Sequence, residues 1–227
     1  MNRSEINRLI NGALQFFGEM RFKLPPWSTW SPEQWIKHRA SCEGLILNQL
    51  GWDLTDFGSG DFHSTGLLLF TLRNGNPQRD AKPYAEKIMI VEEGQVTPMH
   101  FHWSKMEDII NRGGGNLMVQ LYPSDRKGEF ASHSFEVNLD GIVHTLNPGD
   151  WVRLKPGESI TLTQGLYHQF QGEEESGRVL VGEVSAVNDD HTDNRFYTPA
   201  GRFPDIIEDE NPVYLLVSDY ATYLNLN

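Results

Sequence analysis

The chain has 227 residues, with 19 basic and 31 acidic side chains, a net charge of −12 and a single cysteine. That charge argues against nucleic acid and anionic membrane surfaces as partners. Cys42 alone excludes an internal disulfide and fits a reducing compartment. No apolar run approaches the roughly 20 residues a membrane span needs, and the N-terminus lacks the apolar block of a signal peptide. The expected setting is therefore the cytoplasm, and the expected partner a small neutral molecule.

From Ser4 to Met20 the apolar positions are Ile6, Leu9, Ile10, Ala13, Leu14, Phe17 and Met20. This is the stripe of an amphipathic helix, with Ser4 as its N-cap. Such a stripe must be covered, either by the rest of the chain or by a second copy. Leu24-Pro25-Pro26 ends the segment, because proline drives its predecessor out of the helical region. Ser31-Pro32-Glu33-Gln34 reads as a second helix start, with Ser31 capping, Pro32 at the first helical position and Gln34 closing a capping box. A further helical segment runs through Cys42 to Leu50 and stops at Gly51. Residues 1–65 are thus expected as a helical extension packed on a β-domain formed by 66–227.

Beyond Gly66 the pattern changes to short β-rich runs at 67–72, 85–91, 98–103, 116–122, 132–139, 151–154, 159–162, 167–170, 179–185 and 213–217. Turn signals such as Asn147-Pro148-Gly149 and Lys155-Pro156-Gly157 separate them. Asp140-Gly141, set between two alternating segments, is a strong hairpin signal. Many short strands without intervening helices imply an antiparallel sandwich or barrel. Exposed strand edges and the N-terminal stripe together suggest a homodimer.

Chemistry concentrates between Gly94 and Gly115. His100 and His102 are two residues apart, so a strand aims both imidazoles to one face. Glu107 is expected just past that strand, folded back by a short turn, and His168 lies downstream as a fourth candidate. Three imidazoles and a carboxylate form a borderline N/O donor set that suits Mn, Fe, Co, Ni or Zn. His38, His63, His133, His144 and His191 have no such company and read as ordinary residues. Gly113-Gly114-Gly115 lacks the Lys-Ser/Thr of a phosphate loop and reads as a tight turn.

The order Gly94, His100, His102, Glu107, Gly113 resembles the first motif of the cupin family, and Lys155-Pro156-Gly157 through Gly165 to His168 resembles its second. Gln171 or Gly172 stands where the family often has Asn, at a position that is not a ligand. The resemblance implies a mainly β fold, a cupin-type antiparallel β-barrel or jelly-roll, with a helical N-terminal extension as an addition. It leaves the reaction open, because one fold hosts many chemistries.

For proton transfer the candidates are Lys105, inside the metal motif, and Glu183, a lone acid in the apolar run Val179 to Ser185. A carboxylate buried in that company is either paired or functional. Asp190 and Arg195, in the polar stretch after Glu183, and Trp103, beside His102, are candidates for contacting substrate. A longer resemblance enters through HFHWSKMEDIINRGGG, GWDLTDFGSGDF and GEVSAVNDDHTDNRF, which look like the bacterial D-lyxose isomerases. That likeness implies a metal-dependent aldose–ketose isomerase interconverting D-lyxose with D-xylulose, and D-mannose with D-fructose, through an enediol. It implies one divalent ion per chain, with Mn²⁺ the usual one and Zn²⁺, Fe²⁺ or Co²⁺ as alternatives, held by His100, His102, Glu107 and His168. The rivals are a cupin phosphosugar isomerase needing an Arg/Lys clamp, an Fe(II) cupin dioxygenase, and a sugar-binding cupin without activity.

Overall fold

A computed structural model describes residues 1–76, 79, 81–187, 193–201 and 204–224. Helix α1 spans Arg3–Glu19, α2 Pro32–His38, α3 Glu43–Leu47 and α4 Tyr220–Tyr223. The strands are β1 (Gly51–Thr55), β2 (Leu67–Arg73), β3 (Tyr84–Val91), β4 (Thr97–His102), β5 (Glu107–Gly114), β6 (Leu117–Pro123) and β7 (Phe135–Leu139). They continue with β8 (Ile142–Leu146), β9 (Trp151–Leu154), β10 (Ser159–Leu162), β11 (Leu166–Gly172), β12 (Val179–Ala186) and β13 (Asn194–Phe196). One sheet runs β1-β2-β3-β12-β5-β10-β7-β8 and the other β13-β4-β11-β6-β9. Every pairing between these strands is antiparallel, and the architecture is the cupin-type barrel with its helical N-terminal segment.

Strand alternation divides the interior. Leu117, Val119 and Leu121 of β6 face Ile160 and Leu162 of β10, Val179 and Val181 of β12 and Phe170 of β11, in one core between the sheets. On the opposite face of the larger sheet, Trp52, Leu54, Leu68, Phe70, Ile88, Ile90 and Leu180 form a second core with Ile6, Ile10, Ala13, Phe16 and Phe17 of α1. The amphipathic stripe is therefore covered by the chain's own barrel, and it no longer argues for a second copy. A third cluster joins Trp35, Cys42 and Ile46 to Leu215, Tyr220 and Leu224.

Several local expectations are corrected. Asn2, not Ser4, precedes α1, and the Ser4 hydroxyl and N–H both donate to Asp209. Gly51–Thr55 is a strand, pairing with β2, although it lies in the stretch expected to be helical. It is buried along its whole length, so it shows no alternation to reveal it. Residues 213–217 do not form a strand. Leu216 makes an isolated bridge to Trp52, and Asp219 accepts the Leu216 N–H and turns the chain into a 3-10 helix at Val217–Asp219. The Ser31 capping box forms as expected. Among the described residues no helix is long and apolar enough to cross a membrane.

Candidate metal centre and its pocket

β4 lies in the smaller sheet and β5 in the larger, so the turn between them carries the chain across the end of the barrel. On β4, His100 and His102 point inward while Phe101 points outward against Tyr167 and Trp103. His168, on β11, is the direct cross-strand partner of His100. Glu107 opens β5 instead of ending a turn, pairing with Leu162 and Ser185. The four side chains thus meet from both sheets, and all four are buried.

The ligand nitrogens of His100, His102 and His168 lie within 4.8 Å of one another. His100 Nδ1 donates to the Pro98 carbonyl at 2.7 Å, and His168 Nδ1 to the Leu166 carbonyl at 3.0 Å. A ring whose Nδ1–H is engaged in this way presents a bare Nε2 lone pair to the interior. Both ring nitrogens of His102 and the Nε2 of His168 are buried without a hydrogen-bond partner, a costly state that a bound cation relieves. Glu107 Oε1 sits 3.3 Å from His102 Nε2 and 3.2 Å from His168 Nε2. Burial, followed by the neighbouring His168 and His102, pushes His100 well below its ordinary value, so its ring is neutral as a ligand requires. Burial would raise Glu107, but the Lys105 ammonium and His102 outweigh it and hold the carboxyl well below the usual range. These residues fit a divalent cation.

Beside this group lies a cavity of about 310 Å³, lined by Asp53, Thr55, Lys87, Thr97, Lys105, Glu183, Asn194 and several apolar side chains including Phe57 and Phe196. A chain of alternating charge crosses it. Lys105 Nζ contacts Glu107 Oε2 at 2.6 Å and Glu183 Oε1 at 3.0 Å, and Lys87 Nζ lies 3.3 Å from the same Glu183 oxygen. Lys105 and Glu183, which the sequence singled out, therefore meet inside the cavity. Lys87, Asp53 and Asn194 were not singled out, since nothing local marks them. The one available signal for Lys87 was a lysine in the apolar β3 run Tyr84–Val91.

The turn that carries Lys105 is held by Asp193, which is buried and accepts the Ser104 N–H at 2.8 Å, the Ser104 hydroxyl at 2.5 Å and the Lys105 N–H at 3.0 Å. Trp103 and Arg195 are not among the residues lining this cavity. Each follows or precedes an inward residue by one position, so the strand aims it outward. Trp103 is 56% exposed, and Arg195 donates to the Tyr167 hydroxyl at 3.0 Å and lies against the Phe101 and Trp103 rings. Asp190 lies outside the described residues.

Two antiparallel sheets closed around three histidines and a glutamate define a cupin-type barrel with a histidine cluster at one end that could hold a metal ion. Solved structures of this shape include Cellulomonas parahominis L-ribose isomerase with L-ribose, which superposes with a TM-score of 0.60 over 91% of this chain and 98% of that one at 17% identity. The family model for D-lyxose isomerase matches residues 1–220, and the chain belongs to that family. It is 49% identical over 227 residues, 99% of its length and 100% of the relative's, to the D-lyxose/D-mannose isomerase of Serratia proteamaculans. It is 48% identical over 226 residues, 98% of its length and 100% of the relative's, to that of Escherichia coli O157:H7. The protein is an enzyme, an isomerase.

Proposed function

We propose that the protein interconverts D-lyxose with D-xylulose, and D-mannose with D-fructose, by proton transfer through an enediol. The observation that carries this is Glu183, a carboxylate inside the cavity, linked through Lys105 to Glu107 in the metal-binding cluster. His100, His102, His168 and Glu107 hold one divalent ion, with manganese the expected occupant. When bound, it polarises the carbonyl and hydroxyl oxygens of C1 and C2 as a Lewis acid.

Glu183 takes the proton from C2, and the electron pair of that C–H bond becomes the C1–C2 double bond of the enediol. Lys105 gives a proton to O1 in this step. Glu183 then returns its proton to C1 as O2 gives its own back to Lys105, leaving the ketose and both residues as they began. Positioned acid–base groups contribute about 10²–10⁴-fold in such steps. Phe57, Phe196, Leu67 and Leu69 line the apolar part of the cavity, exclude water and face the C–H edges of the sugar.

A phosphosugar fits less well. The only cations lining the cavity among the described residues are Lys87 and Lys105, both engaged by Glu183. Arg153 is paired with Glu173 and Arg178 with Glu92 away from the cavity, while Arg112 lies along Gly182 on the outer side of the sheet. A cytoplasmic setting is consistent with the buried free thiol of Cys42. The homodimer now rests on the edge strand β8, where Ile142 and Val143 are exposed.

The test strips the enzyme with chelator, reloads it with Mn²⁺ and follows ketose formation from D-lyxose, D-mannose and glucose 6-phosphate. Xylulose and fructose from the free sugars, lost on chelation and in His102→Ala together with the bound metal, is the expected result. Turnover of the phosphorylated sugar alone, or of none, would overturn the proposal.

A further inference from the structure

Lys87 stands directly opposite Glu183 in the β3–β12 ladder. Directly opposed residues have Cβ atoms only about 5 Å apart, and both side chains point into the barrel, where Lys87 is buried. Lys105 reaches Glu183 from the other direction, from the turn before β5. Both ammonium groups meet the same oxygen, Oε1, at 3.3 Å and 3.0 Å. Glu183 Oε2 accepts no hydrogen bond among the described residues, and the shortest contact of each ammonium is to Oε1. Yet Lys105 already pairs Glu183 and Glu107 together, so a second buried cation on Oε1 is more than that pairing requires. Removing an ammonium from water is costly, and the arrangement gains something else: two cations on one oxygen stop the carboxylate from rotating.

We propose that Lys87 is a positioning residue for proton transfer, clamping Glu183 by Oε1 so that Oε2 alone is presented to the C1–C2 edge of the sugar. This rests on Glu183 being the proton-transfer group, as proposed above. Oε2 then forms its O–H bond as the C2–H bond breaks and loses it as the C1–H bond forms, while Oε1 keeps both lysine contacts throughout. A reacting atom displaced by about 1 Å can lose about 100-fold in rate. The clamp therefore acts on the chemical step and leaves sugar affinity untouched.

The experiment compares Lys87→Met, Lys87→Gln, Lys87→Arg and Glu183→Gln as Mn²⁺-loaded enzymes. It reads kcat and KM with D-lyxose, the isotope effect from deuterium at C2, bound metal and the melting temperature. Lys87→Met is expected to lower kcat by about 10- to 100-fold with KM and metal content kept, and to raise the isotope effect as proton transfer becomes more rate-limiting. Lys87→Arg should recover part of the loss. If the methionine variant does not fold, Lys87→Gln is read by the same criteria. A raised KM with kcat kept would overturn the proposal, making Lys87 a group that holds a sugar hydroxyl, and unchanged kinetics would overturn it equally. An active Glu183→Gln enzyme would instead remove Glu183 as the base, a failure separable from normal kinetics in the Lys87 variants beside an inactive Glu183→Gln.

Discussion

Two of the three buried histidines of the cluster, His100 and His168, are oriented by their own backbone surroundings before any cation arrives. Pro98 and Leu166 each precede their histidine by two residues, and their carbonyls take the Nδ1–H of His100 and His168. The short loop so formed holds each ring with its Nε2 toward the barrel. Glu107 and Glu183, by contrast, are distinguished by their neighbours. Glu107 pairs with two imidazoles as well as Lys105, whereas the ion-pair partners of Glu183 among the described residues are both lysines. In the proposed mechanism the first is therefore a metal-side group and the second a proton-side group. Replacing Glu183 by glutamine keeps its size and removes the base. The expected outcome is a fall in kcat of about 10²–10⁴-fold with bound metal within error of the parent enzyme. Loss of metal in step with activity would place Glu183 on the wrong side of that division.

At the level of elements, the site depends on how the β4–β5 turn is held, and Asp193 at the start of the β13 edge does the holding. Burial would raise its carboxyl, but the hydrogen bonds from Ser104 and Lys105 outweigh this and hold it below the ordinary 3.8. A depressed value means that its stabilisation is complete above about pH 4 and disappears as pH falls through the folded-state value. Asp193→Asn is expected to lose about 1–3 kcal/mol at neutral pH, since an amide cannot accept from all three donors. It should also show a shallower fall of stability below pH 4, by at most about 1.4 kcal/mol per pH unit, checked by urea titrations between pH 3 and 7. Parallel acid limbs would show that the turn does not depend on the charge. This element also marks what the sequence could reveal. His100 and His102 were legible because strand alternation is a two-residue rule, and the stripe of α1 because its period is equally local. The same alternation, applied one residue further, turns Trp103 and Arg195 outward. Asp193 and Lys87 were illegible. Their roles exist only through pairings across 88 and 96 residues, Asp193 with Lys105 and Lys87 with Glu183, and no periodicity encodes such partners. β1 was hidden because a strand buried on both faces carries no alternation.

For the whole molecule, the barrel is enclosed by its two termini. α1 covers the outer face of the larger sheet, and its first residues tie down the segment after Pro204: Ser4 bonds Asp209, Asn7 bonds Glu210 and Asn211, and Arg3 bonds Glu208 and Asp219. The fully buried Arg3 guanidinium forms a two-pronged pair with Asp219 at 2.9 and 2.8 Å and a second with Glu208 at 2.9 and 2.7 Å. The two pairs are unequal in worth. Glu208 is 49% exposed, so water and salt screen it, whereas Asp219 is 7% exposed and also accepts the Leu216 N–H. Removing Arg3 leaves the Asp219 charge buried with no cation among the described residues, and breaking a buried pair from one side typically costs about 3–5 kcal/mol. Arg3→Ala should lose about that much in urea unfolding, and Glu208→Gln about 0–1 kcal/mol, fading further at high salt. Arg3→Met paired with Asp219→Asn, which removes both charges, should recover much of the loss. Strand alternation puts the core under α1, the helix that Arg3 begins, on the face of the sheet opposite the cavity. KM and kcat of the folded fraction should accordingly stay at parent values in all these variants. Equal losses for Arg3→Ala and Glu208→Gln would show that exposure does not rank the two pairs, and a changed KM would show that the closure of the termini is felt across the sheet.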